Sequence, residues 1–203
     1  MRPEDIEKES MRILSAEMDA TGIEAANLPI VKRVIHTTAD FTFAQSLIFS
    51  PEVVHQARMA LRAGVAVVTD TNMAAAGISK PSAEKYGNRV CCWMADESVA
   101  GIARARGTTR AEVSMEVAVE AYPDAIFAIG NAPTALLRLC ELIRLGKARP
   151  SLVIGVPVGF VNVVESKELL LSMEVPHIVA RGRKGGSTVA AAIVNSLYYE
   201  DRT

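Results

Sequence analysis

Apolar residues change their spacing once along the chain, close to Gly64. Before that glycine they recur every three or four positions, as on one face of a helix. Residues 3–19 read as a first helix, with Ile6, Met11, Leu14 and Met18 at helical spacing. Pro3 suits its first turn, and acids crowd the positive end of its dipole. A second helix is expected from about Pro29 to His36, where Thr37 ends the periodic pattern. Ser50-Pro51-Glu52 opens a third, through "EVVHQARMALRA", which Gly64 stops.

Beyond Gly64 the pattern turns to short apolar runs rich in β-branched residues. There are five: "VAVVT" (65–69), "RVCCWM" (89–94), "AIFAI" (125–129), "LVIG" (152–155) and "HIVA" (177–180). Each precedes a turn and then helical periodicity, clearest at 109–121, 132–145, 162–172 and 187–198. Thr109 and Glu112 have the spacing of a capping box, and Gly146 suits a C-terminal cap. Apolar strands alternating with helices predict a parallel sheet covered on both faces. The expected fold is therefore a three-layer α/β/α domain spanning 1–203, with a helical N-terminal part (1–63) and βα units over 64–203.

Composition narrows the function more than the fold. Half of the 203 residues are hydrophobic, 22% are charged and the formal net charge is −1. A balanced charge predicts attraction to neither nucleic acid nor membranes. The start, "MRPEDIEKESMR", is too charged for a signal peptide, and "LVIGVPVGFVNVV" (152–164) is too short and interrupted to span a bilayer. Cys91, Cys92 and Cys140 form no CxxC pair, and adjacent cysteines in a strand face opposite sides. Reduced thiols and a cytoplasmic location are expected. Charge is nevertheless uneven: residues 1–24 carry seven acids against three bases, whereas "RARGTTR" (104–110) and "RGRKGG" (181–186) are basic. A local anion site is compatible with the neutral total.

In a parallel sheet, ligands bind outside the carboxyl ends of the strands. Four loops there are "DTNMAAAG" (70–77), "GNAPTA" (130–135), "GVPVGF" (155–160) and "RGRKGGS" (181–187). They place Thr71, Asn131, Gly159, Phe160, Gly185, Gly186 and Ser187 on one edge. Glycine lets a backbone approach a ligand closely, and "GGS" opens a helix whose N-terminus favours an anion. Arg181 and Arg183 offer forked donors for carboxylates. Ordinary βα turns with a solvated basic loop are the simpler reading of any one of these segments. No GxGxxG or P-loop occurs, so nucleotide binding is unsupported.

Arg33 and His36 lie three apart on the second helix and share a face. If that helix end reaches the carboxyl edge, His36 can present a proton while Arg33 holds an acidic substituent. Otherwise His36 is a C-terminal histidine answering the helix dipole. His55 reads as a surface residue and His177 as structural; three scattered histidines do not make a metal site.

Five strings occur together: "VIHTTADF", "TDTNMAAAGI", "IGNAPTAL", "GVPVGFVNVVESK" and "RGRKGGSTVAAAIVNSL". In this order, and over essentially the whole chain, they resemble the precorrin-8X methylmutases, including the cobalt-precorrin-8 enzymes. The resemblance implies a flavodoxin-like five-stranded parallel sheet and a homodimer with the site near the subunit interface. It implies migration of a methyl group from C-11 to C-12 of a contracted tetrapyrrole, without a redox or nucleotide cofactor; any cobalt belongs to the substrate. His36 matches the family's proton donor, Arg33 the basic residue one turn earlier, Ser10 a substrate-contacting serine and Arg110 an arginine after the second strand. Two other readings use the same residues: a carrier handing a corrinoid to an amidating enzyme, and a domain holding a phosphorylated ligand through "GGS".

Overall fold

The structure, a computed structural model, describes residues 2–199. In chain order its elements are α1 (Pro3–Glu17), α2 (Leu28–Thr38), α3 (Phe43–Ser46), β1 (Leu47–Phe49), α4 (Val53–Arg62) and β2 (Val67–Thr69). They continue with α5 (Asn72–Gly77), α6 (Lys80–Tyr86), β3 (Val90–Cys91), α7 (Glu97–Arg106), α8 (Arg110–Ala121) and β4 (Ile126–Ile129). The last are α9 (Pro133–Arg144), β5 (Leu152–Gly155), α10 (Val163–Leu171), β6 (His177–Ala180) and α11 (Ser187–Tyr198).

All six strands form one sheet in the order β1-β6-β5-β4-β2-β3. The central strands are buried on both faces, which explains why they read as unbroken apolar runs. Alternation along β4 shows the two layers. Ile126 and Ala128 join a core with α1, α2, α4 and α11, whereas Phe127 and Ile129 join one with α8 and α9. Burying the Ile126, Phe127 and Ile129 side chains stabilises the fold by about 1.5–3 kcal/mol each.

The expected five-stranded parallel sheet is corrected to a mixed sheet of six. Five strands are parallel, but β1 pairs antiparallel with β6, Ile48 opposite Val179. Three residues directly after a helix are too few to show a period of two. The N-terminal part is therefore not helical throughout, since it supplies this edge strand. At the other edge β3 is only two residues long, because the N–H of Asp96 bonds back to the Trp93 carbonyl and turns the chain away. Helix α2 extends past His36 to Thr38. The hydroxyls of Thr37 and Thr38 bond to the carbonyls of Arg33 and Val34, and Ala39 stops the helix in the left-handed region. The capping box at Thr109 and Glu112 and the positive φ of Gly146 are present as expected.

Candidate active site

Asp70, the residue after β2, is fully buried and organises the carboxyl edge. Its carboxylate accepts the backbone N–H groups of Gly130, Asn131 and Ala132 at 2.8, 2.7 and 2.6 Å. Burial raises its pKa from the ordinary carboxylate value, against the lowering pull of those three donors. The loop after β4 is thus fixed by a side chain from the neighbouring strand. Asn131 stands exposed at its tip.

The loop after β6 is packed just as closely. Thr71 and Ser187 share a hydroxyl hydrogen bond of 2.8 Å, and the Thr71 hydroxyl also caps α5 through the Ala74 N–H. A Cβ on Gly130 would lie 2.7 Å from the Ser187 Cα, and one on Gly185 would lie 2.0 Å from the Val156 carbonyl oxygen. These glycines are needed because three backbone segments touch here. The N–H of Gly186 bonds to the Val156 carbonyl, and that of Gly159 to the Arg183 carbonyl. The amides of Gly159 and Gly186 thus join the loops to each other.

Lys167 of α10 lies beneath the same loop, 0% exposed. Its ammonium donates to the carbonyls of Gly182 and Lys184, each at 2.8 Å. Burial lowers its pKa to about 8. Arg181 forms a forked pair with Glu168, at 2.9 and 3.2 Å, so the guanidinium expected to meet a ligand is already engaged. The Arg183 guanidinium stands over the Phe160 ring, 5.9 Å from its centroid, and Phe160 is 84% exposed. Val158, Val161 and Met73 are exposed as well, so one edge carries apolar surface beside cations.

Lys184 reaches the N-terminal helices. Its ammonium meets the Asp40 carboxylate at 2.6 Å and the Thr42 hydroxyl at 3.0 Å. The hydrogen bonds from Lys184 and Thr42 to that carboxylate hold the Asp40 pKa down to about 2. The carboxy-terminal end of α2 is thereby tied to the loop before α11. His36 is exposed in the last turn of α2.

Not every expected residue gathers there. The Arg33 guanidinium meets Glu7 at 3.2 Å and stands over the Tyr199 ring, 5.7 Å from its centroid. Tyr199 lies just past the end of α11 opposite the glycine loop, and twelve helical residues separate the two ends by about 18 Å. Half-buried Ser10 is one turn beyond Glu7 on α1. Arg110 is exposed at the first position of α8, whose cap Thr109 bonds to Thr134 of α9 at 3.2 Å. That contact brings Arg110 to the Asn131 side of the edge. Among the described residues no three of His, Cys, Asp and Glu cluster as metal ligands.

The precorrin-8X methylmutase family model matches residues 5–200. The chain belongs to that family. It is 43% identical to a cobalt-precorrin-8 methylmutase of Priestia megaterium, covering 97% of this chain and 88% of that protein. Identity to the cobalt-precorrin-8 methylmutase of Salmonella typhimurium is 42%, covering 99% and 97%. A crystal structure of precorrin-8x methyl mutase from Thermus thermophilus superposes with a TM-score of 0.89 at 44% identity, over 96% of this chain and 94% of that one. Methylmutases are isomerases, and this chain is one of them, an isomerase of cobalamin biosynthesis.

In this methylmutase two residues that organise the edge were not singled out from the sequence. Asp70 directly follows the strand-ending Thr69, where side chains face the ligand edge. That position was the available signal for it. Lys167 had none, because a lysine inside an amphipathic helix normally reads as solvated surface.

Proposed function

We propose that this methylmutase moves a methyl group from C-11 to C-12 of cobalt-precorrin-8, giving cobyrinic acid, with His36 as general acid. The observation that carries the reading is the Asp40–Lys184 ion pair, which brings the His36 end of α2 to the glycine–arginine loop. A proton delivered to the conjugated macrocycle makes it more electrophilic where the methyl group arrives. General acid assistance of this kind contributes about 10²–10⁴-fold in rate. The exposed faces of Phe160, Val158, Val161 and Met73 suit a flat macrocycle, and Arg183, Arg110 and Asn131 suit its acetate and propionate arms. The cobalt form is favoured because the Priestia and Salmonella relatives bear that name. No redox or nucleotide cofactor enters this scheme, and cobalt arrives within the substrate.

Ser10 and Arg33 lie apart from the carboxyl-edge residues, and this split supports a homodimer in which one copy completes the site of the other. The five parallel strands run β3-β2-β4-β5-β6, the flavodoxin order, which supports a flavodoxin-like fold extended by β1. The balanced charge and three free cysteines support a cytoplasmic enzyme. Single-turnover spectroscopy with cobalt-precorrin-8 tests the proposal. Conversion by the native protein and not by His36→Ala supports it. Equal conversion by both removes His36 from the chemistry, and binding without conversion favours the carrier.

A further inference from the structure

Lys167 has an unusual placement for a lysine. It is fully buried, its ammonium bonds to two backbone carbonyls, and no carboxylate partner is present among the described ion pairs. A buried cation without a counter-ion costs stability, and an apolar side chain would fill the same space more cheaply. What the cation does gain is control over the direction of two peptide groups.

A trans peptide is planar, so its C=O and N–H point in opposite directions. The carbonyls that turn inward to Lys167 are those of Gly182 and Lys184. The N–H groups of the same two peptide units belong to Arg183 and Gly185. Both must point away from the ammonium, and neither has an acceptor among the described residues. The intervening peptide is turned otherwise, because the Arg183 carbonyl accepts the Gly159 N–H. Gly182, at φ +86°, and Gly185, with no room for a Cβ, allow the chain to make this sequence of turns.

We propose that Lys167 is a positioning residue that sets the Arg183 and Gly185 amides outward as a paired donor for one carboxylate of the substrate. The Arg183 side chain, held over Phe160, supplies the neighbouring positive charge. Orientation comes from within the fold, so the surface arginines need not all contact the ligand, and Arg181 is free to remain with Glu168. The ligand class, a tetrapyrrole carboxylate, rests on the function proposed above; the orientation of the loop does not.

Three measurements decide it. Amide hydrogen exchange without ligand should rise about tenfold across 181–186 in Lys167→Met, with the central strands unchanged. Unaltered exchange in that loop overturns the clamp whatever the substrate is. In turnover, Lys167→Met should raise KM about tenfold and leave kcat within about twofold. Lost kcat at unchanged KM overturns the binding role. Should that variant not fold, the native 15N-labelled protein titrated with cobyrinic acid serves instead. Downfield movement of the Arg183 and Gly185 amide protons, larger than that of Lys184, supports the paired donor. If cobyrinic acid binds and these two amides stay in place, the proposal fails. If it does not bind at all, the proposed function fails, and the exchange result still judges the clamp.

Discussion

The Asp40 carboxylate and the Lys184 ammonium meet at 2.6 Å across 144 positions of sequence, and their contact ties α2 to the loop that opens α11. Lys184 is more than half exposed, so the pair is screened by solvent and contributes only about 0.2–1 kcal/mol. Its value lies in placement. Asp40→Asn should lower stability by less than about 1 kcal/mol yet weaken substrate binding several-fold, measured as KM beside a urea midpoint. The pH dependence follows from the lowered carboxylate pKa. The contribution is complete above the ordinary carboxylate value and is lost as pH falls from there through about 2. Neutral and mildly acidic assays should therefore not disturb it.

His36 is exposed at the end of α2, so its removal touches no packed core. His36→Ala should change stability by no more than about 1 kcal/mol, the scale of a helix-dipole interaction. Turnover should fall about 10²–10⁴-fold with substrate affinity retained. Single-turnover rates and equilibrium titration on the same preparation separate the two effects. A matching loss of affinity would make His36 a binding group.

How far the sequence reveals this arrangement depends on the length scale of each feature. The strands 152–155 and 177–180 and the helix 187–198 are readable to the residue, because Pro150, Pro176 and Gly186 mark their starts in the sequence. β1 is not, since three residues gain their identity only from pairing with β6, about 130 positions later. The site divides in the same manner. His36 and the glycine loops stand out locally by type and spacing. The ion pairs that engage Arg33 with Glu7 and Arg181 with Glu168 are tertiary, and nothing in a run of residues tells a free arginine from a paired one. Asp70 and Lys167 act through backbone groups of distant loops, which have no sequence identity to read.

Lys167 also leaves a signature in alkaline stability. Burial lowers its pKa from the usual lysine value to about 8, so the unfolded chain binds more protons than the folded one between those values. Stability attributable to this group is lowest below about pH 8 and rises as pH increases toward the ordinary lysine pKa. The full effect is up to about 3 kcal/mol. The comparison with Lys167→Met is what isolates it. Between about pH 7.5 and 10 the urea midpoint of the native protein should rise relative to that of the variant, because the native protein alone gains the increment. Parallel behaviour of the two proteins would show that the ammonium is not desolvated.

Glycine-to-alanine changes provide a last test, because the sign should differ between two sites. Gly101 lies inside α7 with nothing within 4 Å of the place a Cβ would take, so Gly101→Ala removes only the flexibility of the unfolded chain. It should stabilise the protein by about 0.5–1 kcal/mol. Gly130 lies against rigid partners instead: a Cβ would stand 2.7 Å from the Ser187 Cα and 2.8 Å from the Gly186 carbonyl oxygen. Both are backbone atoms of the glycine–arginine loop, and Asp70 holds Gly130 from the other side. Neither segment can yield without moving the site, so Gly130→Ala should cost about 1–3 kcal/mol. The displacement should also reduce kcat/KM, whereas Gly101→Ala should leave it unchanged. Thermal melts and steady-state rates of the two variants check both signs, and a Gly130→Ala enzyme with native stability and rate would show that these loops are not in fixed contact.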